Sequence, residues 1–210
     1  MKTTDTTVGE FLERLSGGSA TPGGGSVAAL SGSLGAALCA MVGRLTTGRA
    51  KYQEVWVEME QMQNTADRLT LKLLDLVDKD VDAYNGVIAA LKMPKQTEEH
   101  RSARQKALQT ATKQAALIPM ETLRVLANLI GLVEKAFFKG NPNCLTDVGV
   151  AALLIQAAAL GAAYNARVNL PGIDDKDFVR KLKSEMEEVL KEILVPVERL
   201  NKMVDQRLES

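Results

Sequence analysis

Histidine, cysteine and aromatic residues are scarce in this chain of 210 residues. Its one histidine, His100, and its two cysteines, Cys39 and Cys144, provide too few ligands for most zinc sites and no disulfide framework. A serine or cysteine triad would need His100, which lies among charged residues and is interpreted as a surface side chain. The composition therefore argues against metallohydrolases and triad hydrolases.

A net charge of either sign is also absent, because 26 Lys and Arg balance 26 Asp and Glu. This balance disfavours broad, charge-driven binding to nucleic acid or to an anionic membrane. The polar start, Met1–Val8, has no apolar segment typical of a signal peptide. Two apolar runs, Val27–Gly43 and Val148–Ala163, are shorter than the ~20 residues of a membrane span. We interpret them as buried helices and expect a soluble, cytoplasmic protein.

Strand-like alternation is missing as well, and helix-favouring Leu, Ala, Lys, Glu and Gln dominate. Thr7 and Glu10 form a capping-box pattern, and SGGSATPGGG at Ser16–Gly25 is the one Gly/Ser-rich loop. The pattern predicts an all-α, single-domain bundle of long helices over residues 1–210. Pro119 is expected to kink or restart the fourth helix. The predicted helices run from Thr7 and then over about 26–47, 52–93, 97–138, 147–168 and 175–208.

Small residues recur along the second and fifth predicted helices. Ala28, Gly32, Ala36 and Ala40 are spaced by four and form a flat stripe, which lets another helix axis approach to about 8 Å. A stripe of larger apolar residues runs beside it: Val27, Leu30, Leu34, Leu38, Met41 and Leu45. We expect both small-residue helices to be buried, the second on most of its sides.

The third predicted helix carries a carboxylate in register with its core residues. Its core positions step by three and four: Met59, Met62, Ala66, Leu69, Leu73 and Leu76. The same count continues to Asp80. Its acidic neighbours fall on the solvent-facing side: Asp75, Asp78 and Asp82. A carboxylate that faces a packed interior has a displaced pKa and suits acid–base chemistry, or else it is a structural group paired with a cation or a helix end.

Two loops open into the small-residue helices. In Thr21–Ser26, TPGGGS, consecutive glycines and a helix start favour a ligand, although a flexible connector has the same composition. The second loop, Gly140–Asp147, contains more polar residues than one helix cap requires. Asn165 and Asn169 add amides near the far end of the fifth helix. These residues predict either a small-molecule pocket between helices or an interhelical hydrogen-bond network.

Six segments, taken together, resemble the cyclodeaminase/cyclohydrolase family of tetrahydrofolate enzymes. The resemblance extends over nearly the whole chain and keeps the family's order of motifs. It is similar to the C-terminal half of the bifunctional formiminotransferase-cyclodeaminase. The matching segments are PGGGSVAA (Pro22–Ala29), MVGRLTTGR (Met41–Arg49), LVDKDVDAY (Leu76–Tyr84), MPKQT (Met93–Thr97), GNPNCLTD (Gly140–Asp147) and GAAYNARVNL (Gly161–Leu170).

The resemblance implies an all-α homodimer with a folate pocket framed by both loops. It implies that Asp80 is catalytic and that the only small molecule required is the tetrahydrofolate substrate, with no metal, nucleic acid or membrane involved. It also implies a set of substrate-binding residues: Gly23, Gly24, Gly25, Ser26, Gly140, Asn141, Asn143, Thr146, Asp147 and Asn165.

Three activities fit this resemblance. The first is a cyclodeaminase that converts 5-formimino-tetrahydrofolate to 5,10-methenyl-tetrahydrofolate and ammonia. The second is a cyclohydrolase that converts the methenyl compound to 10-formyl-tetrahydrofolate. The third is a non-catalytic helical dimer that binds folate or a partner protein. The residues alone do not separate the first two.

Overall fold

The computed structural model describes residues 2–209, which fold as an all-α bundle with no strand among them. The all-α prediction is confirmed. Short 3₁₀ turns at Thr3–Asp5, Ala50–Val55, Pro142–Cys144 and Leu170–Gly172 complete the chain path. The α-helices are α1 (Val8–Ser16), α2 (Gly24–Thr46), α3 (Trp56–Lys92), α4 (Glu98–Lys139), α5 (Leu145–Asn169) and α6 (Lys176–Leu208).

Local sequence signals account for several helix ends. Thr7 and Glu10 form the predicted capping box at α1, and Asp175 accepts a hydrogen bond from the backbone N–H of Phe178 at the start of α6. The start of α2 was predicted two residues too late, because Gly24 and Gly25 already have helical geometry. Glycine lowers helix propensity without forbidding the helix, and packing against α3 and α5 overrides that preference here.

The sequence suggested that Pro119 kinks or restarts the fourth helix. A restart is wrong, because α4 continues through this residue. A proline has no N–H, so it leaves the carbonyl four residues earlier without its helical partner. That carbonyl belongs to Ala115, and it accepts a 3.1 Å hydrogen bond from the side-chain amide of Asn169. A group on α5 thus replaces the missing bond of α4.

Helix α2 packs closely against its neighbours through residues with little or no side chain. A Cβ added to Gly32 would lie 2.6 Å from Leu126 Cδ2, and one added to Gly43 would lie 2.8 Å from Gln63 Cβ. A Cβ on Gly35 would lie 3.1 Å from Ile155 Cγ1 of α5. These approaches bring α3, α4 and α5 against the small-residue side of α2, where Ala28, Ala36 and Ala40 are buried.

Helices α2 and α5 run antiparallel. The start of α2 lies beside the end of α5, where Gly24 approaches Asn165. The end of α2 lies beside the loop before α5, where the Asn141 backbone N–H donates to Thr46 Oγ1 at 2.9 Å. The two loops singled out in the sequence therefore lie at opposite ends of α2.

Most of α2 is buried, with 13 of its 23 residues in the interior, but its larger apolar stripe is only partly buried within the chain. Leu34 is 51% exposed and Leu45 is 38% exposed. The reason is geometric: the neighbouring helices pack against the small-residue side of α2, so its leucines lie on the outer side. Exposed side chains of α5 continue this surface. We call it the α2/α5 face and define it by Val27, Leu34, Leu38, Met41, Leu45, Val150, Leu153, Ala157, Tyr164 and Val168.

Three segments are long and apolar enough, by length and composition alone, to cross a membrane: Gly24–Thr46, Glu98–Lys139 and Pro142–Gly172. Two of these segments extend beyond the apolar runs Val27–Gly43 and Val148–Ala163, which were judged too short for a membrane span. Within the bundle, 61%, 56% and 44% of their most apolar windows are buried. Packing between these helices accounts for much of their apolar character.

Candidate active site

A cavity of about 290 Å³ lies where the start of α2 meets the second half of α3 and the end of α5. It combines the glycine loop with polar side chains from two helices. Its lining residues are Ala20, Thr21 and Gly23 from the loop, Gly24 and Gly25 from α2, Asp80, Ala83, Tyr84 and Val87 from α3, Ala115 from α4, and Asn165, Val168 and Asn169 from α5.

Asp80 lies at the inner side of this cavity and is tied to the first turn of α2. The Oγ of Ser26, which is fully buried, donates a 2.8 Å hydrogen bond to Asp80 Oδ2 and lies 3.3 Å from the Val77 carbonyl oxygen. Gly25 makes room for the carboxylate, because a Cβ added there would lie only 2.6 Å from Asp80 Cγ. The predicted glycine loop and the predicted carboxylate therefore belong to one site.

The protonation of Asp80 reflects two opposing effects. Burial raises the pKa of the Asp80 carboxyl above its ordinary value, because desolvation disfavours the charged form. The side-chain and backbone hydrogen bonds from Ser26 act in the opposite direction and lower that pKa. Burial is the larger effect. The result is a carboxyl that exchanges a proton nearer to neutral pH than a solvated aspartate does.

The core register of α3 is confirmed up to the cavity. Leu73 and Leu76 are buried, and Asp80, Ala83 and Val87 follow on the same side as half-buried residues. One acidic neighbour differs from its predicted solvent-facing position. Asp78 accepts a 2.7 Å hydrogen bond from the Thr3 N–H and a 2.6 Å bond from Thr4 Oγ1. This carboxylate anchors the N-terminal turn, a contact that the helical period of α3 does not encode.

The end of α5 contributes two amides to the cavity, Asn165 and Asn169. Asn165 was among the predicted binding residues, whereas Asn169 was assigned only to either a pocket or an interhelical hydrogen-bond network. Tyr84 was missed as a lining residue, although it lies one turn after Asp80 on α3. That i, i+4 spacing was the available signal, since residues four apart share a helix face.

The second predicted loop lies away from this cavity within one chain. With ~1.5 Å per residue, α2 separates the two loops by about 33 Å. Asn141 is buried there, and its side chain joins the Leu45 carbonyl, the Tyr52 hydroxyl and the Asn143 N–H. Gly140 is required sterically, because a Cβ would lie 2.7 Å from Val42 Cγ1. The remaining predicted residues are exposed or half-buried: Asn143, Thr146 and Asp147.

The cavity has the chemistry to hold a cation and to move a proton. Its lining residues include one carboxylate, Asp80, and no Lys, Arg or His. Tyr84 offers an aromatic ring at the mouth, and Val87 and Val168 offer apolar surface. A flat, positively charged group can therefore be desolvated on its sides while it faces a single negative charge.

Comparison with known proteins gives one consistent result. A sequence model of the formiminotransferase-cyclodeaminase family matches residues 7–188. The methenyltetrahydrofolate cyclohydrolase of Methylorubrum extorquens is 38% identical over 202 residues, which cover 96% of this chain and 97% of the relative. The formimidoyltransferase-cyclodeaminase of Mus musculus is 34% identical over 188 residues, 90% of this chain but 35% of that protein.

A solved structure agrees with these sequence matches. The crystal structure of formiminotetrahydrofolate cyclodeaminase from Thermotoga maritima superposes with a TM-score of 0.88 and 32% identity. The match covers 97% of this chain and 98% of the other. The resemblance noted from the sequence motifs is thereby confirmed, and the chain belongs to the formiminotransferase-cyclodeaminase family, as an enzyme of the folate cyclodeaminase or cyclohydrolase type.

Proposed function

We propose that the chain is a formiminotetrahydrofolate cyclodeaminase whose reaction takes place at Asp80. The observation that carries this proposal is the desolvated carboxyl in a cavity whose lining has no cation. The substrate's protonated formimino group and the methenyl product are both cationic. A single negative charge in a partly desolvated site stabilises such a group more strongly than the same charge would in water.

The proposed reaction uses Asp80 twice. N10 of the folate attacks the amidinium carbon held on N5, and Asp80 removes the proton from N10. The tetrahedral carbon then carries N5, N10 and an amino group. Asp80 returns the proton to that amino group, the C–N bond breaks, ammonia leaves and the 5,10-methenyl cation remains. A carboxyl whose pKa is raised toward neutrality suits both transfers.

A cyclohydrolase is the second candidate, and a specific observation favours it. The cyclohydrolase of Methylorubrum extorquens matches this chain end to end at 38% identity. In that reaction water adds to the methenyl carbon while Asp80 accepts a water proton. The bond from carbon to N5 then breaks, N5 takes up a proton, and 10-formyl-tetrahydrofolate is formed with net release of one proton.

Absorbance of the methenyl compound distinguishes the two. Its appearance from 5-formimino-tetrahydrofolate, with release of ammonia, establishes the cyclodeaminase. Its loss faster than the uncatalysed hydrolysis establishes the cyclohydrolase. No change with either folate contradicts both, and measurable folate binding would then favour the non-catalytic binding protein.

A second copy of the chain is the proposed occupant of the α2/α5 face. The face is apolar along the whole length of both helices, from Val27 and Val168 at one end to Leu45 and Val150 at the other. No charged residue occurs in residues 27–43 of α2 or in residues 148–166 of α5. An apolar surface of this extent, on the helices that build the cavity, is typical of a homodimer interface.

Such a dimer offers a role for the second loop. In an isologous pair whose twofold axis lies in the α2/α5 face and crosses α2, the two α2 helices are antiparallel. The loop 140–147 of one copy then lies near the cavity of the other. In this arrangement Gly140 and Asn141 shape the loop, while Asn143, Thr146 and Asp147 contact the substrate of the other copy.

Mixing two inactive variants tests this arrangement. One is Asp80→Asn, and the other carries Asn143→Ala together with Thr146→Ala, which alter exposed side chains. If sites are shared between copies, a mixed dimer contains one intact site, and activity returns to as much as a quarter of that of the wild type after subunit exchange. If exchange is shown by mass spectrometry and no activity returns, the loop does not act across the interface. A loop variant with full activity also excludes the role.

A further inference from the structure

We propose that Asn165 and Asn169 are a pair of hydrogen-bond acceptors that binds the N–H edge of the substrate's heterocyclic ring. The inference rests on the proposed function and assigns the orientation of the substrate in the Asp80 cavity. A neutral amide is a poor acid or base, so neither residue takes part in the proton transfers. Their role is therefore specificity rather than catalysis.

The orientation of Asn169 is fixed by a proline on another helix. Pro119 leaves the Ala115 carbonyl without a helical N–H, and Asn169 Nδ2 donates to that oxygen at 3.1 Å. The same Nδ2 donates at 2.8 Å to the Asn165 backbone carbonyl. Both N–H groups of the amide are thus used. The Oδ1 atom has no partner among the described residues, and Asn169 lines the cavity.

Asn165 lies one turn earlier and uses one of its two amide N–H groups in a similar bond. Its Nδ2 donates to the Gly161 carbonyl at 2.8 Å, which leaves Oδ1 without a protein partner in the described chain. Gly24 makes room for this amide, because a Cβ there would lie 3.2 Å from Nδ2 and 3.6 Å from Oδ1. The glycine loop thus has a second effect besides admitting Asp80: it allows the Asn165 amide to line the cavity.

The two oxygens form a short row of acceptors. Residues four apart on a helix have Cβ atoms roughly 5–6 Å apart on one face, and both amides face the cavity that Asp80 enters from α3. Tyr84 and Val168 flank the same space. The ligand that fits is a flat ring with neighbouring N–H donors on one edge. The 2-amino group and adjacent ring N–H of a pterin have this pattern.

The first test uses the wild-type chain and two non-reacting ligands, 5-formyl-tetrahydrofolate and its analogue with methyl in place of the 2-amino group. A site built from acceptors is expected to reject the analogue, because an amide oxygen is then left unpaired. We expect the dissociation constant from calorimetry to rise by about 10- to 100-fold for the analogue. Equal affinity for both ligands overturns the inference.

Substitutions at the two asparagines test which residue causes the discrimination between the two ligands. Asn169→Leu is expected to raise KM for the amino-bearing folate by roughly 10-fold while kcat is little changed, and to bind the two ligands about equally. Asn165→Asp keeps an acceptor and is expected to retain the preference for the parent ligand. Asn128→Leu is the matched control, since Asn128 also donates to the carbonyl four residues earlier but is exposed on α4. A preserved ligand ratio in folded Asn169→Leu overturns the assignment.

Failure of the inference and failure of the proposed function are separable. Turnover of either folate by the wild type tests the function. The ratio of affinities for the two ligands tests the acceptor pair. Turnover together with an unchanged ratio contradicts only the inference, whereas ligand discrimination without turnover contradicts only the enzymatic activity.

Discussion

Ser26 and Asp80 are joined by a 2.8 Å hydrogen bond between residues 54 positions apart in the chain. The bond connects the first turn of α2 to the middle of α3 and fixes one carboxylate oxygen. It also places the negative charge at the start of α2, where the helix dipole favours an anion. The sequence left open whether Asp80 is a structural group at a helix end or a group for acid–base chemistry. The contact agrees with both, because the carboxylate accepts a hydrogen bond at the start of α2 and also lines a cavity.

Replacement of Ser26 changes the acid–base behaviour of Asp80. Ser26→Ala removes a hydrogen bond that lowers the pKa of Asp80, so that pKa rises further. If the ionised carboxylate is the active form, activity falls at a higher pH than in the wild type. The acidic limb of the kcat/KM profile is therefore expected to move to higher pH.

Ser33→Ala is the matched control for this experiment. Ser33 is also buried on α2 and donates to a backbone carbonyl of α3, that of Thr70, at 3.0 Å. It is expected to lower the free energy of unfolding by about 1 kcal/mol and to leave the pH profile unchanged. Equal profiles for both variants would show that Ser26 does not tune Asp80.

The Asp80 carboxylate requires a glycine at position 25, because a Cβ there would occupy the same space. Gly25→Ala places a Cβ against Asp80 and is expected to displace it, with a loss of ~1–3 kcal/mol in stability and a marked loss of activity. Gly86→Ala on α3 has open space at its Cβ and is expected to gain about 0.5–1 kcal/mol without loss of activity. Urea unfolding and turnover measure both. Normal activity in Gly25→Ala would contradict the close approach.

The proposed homodimer depends on the outward leucines of α2 and α5. Leu34→Glu introduces a charge at the centre of the α2/α5 face but at a side chain that is already half-exposed in the monomer. We expect a folded monomer in analytical ultracentrifugation. Leu71→Glu, at an exposed leucine of α3 outside this face, is expected to remain dimeric. Dimers in both variants would exclude this face as the interface.

The charge of Asp80 is expected to reduce stability at neutral pH. Burial raises the pKa of Asp80 above its unfolded value of about 3.9, so the folded state binds the proton more tightly and loses stability as pH rises between the two values. Asp80→Asn has no charge and keeps an acceptor for Ser26. It should therefore be at least as stable as the wild type at pH 7.

The pH dependence of the stability difference between Asp80→Asn and the wild type tests the direction of this effect. The advantage of Asp80→Asn in urea unfolding should shrink as pH falls through the folded pKa toward the unfolded one. An advantage that grows on acidification, or a variant less stable than the wild type at pH 7, would show that the ionised carboxylate mainly stabilises the fold.

Helical periodicity predicted much of this molecule. The register from Met59 to Asp80 placed a carboxylate on the inner side of α3, and the structure puts it there. Burial of small residues such as Ala36 follows from their four-residue spacing. The continuous course of α4 was not predictable in the same way, because the Ala115 carbonyl is satisfied by Asn169, 54 residues away. No local pattern encodes that partner.

The separation of the two loops within one chain could also not be predicted from the sequence. Both open into small-residue helices, and the family resemblance implied one pocket framed by both. Their separation depends on the antiparallel packing of α2 and α5, and only contacts such as Asn141 with Thr46 reveal that arrangement. Tyr84 was missed as a cavity residue, and the role of Asn169 was left open, for a related reason: both are ordinary helical residues in the sequence, and only the packing of three helices brings them to one cavity.

The catalytic role of Asp80 is tested most directly by comparing wild type and Asp80→Asn with 5-formimino- and 5,10-methenyl-tetrahydrofolate, following methenyl absorbance in the same buffer. Circular dichroism and urea unfolding establish that the variant is folded. We expect conversion of at least one folate by the wild type and a reduction of about 10²–10⁴-fold in kcat/KM for Asp80→Asn. A folded Asp80→Asn variant with wild-type turnover would contradict the catalytic role of Asp80.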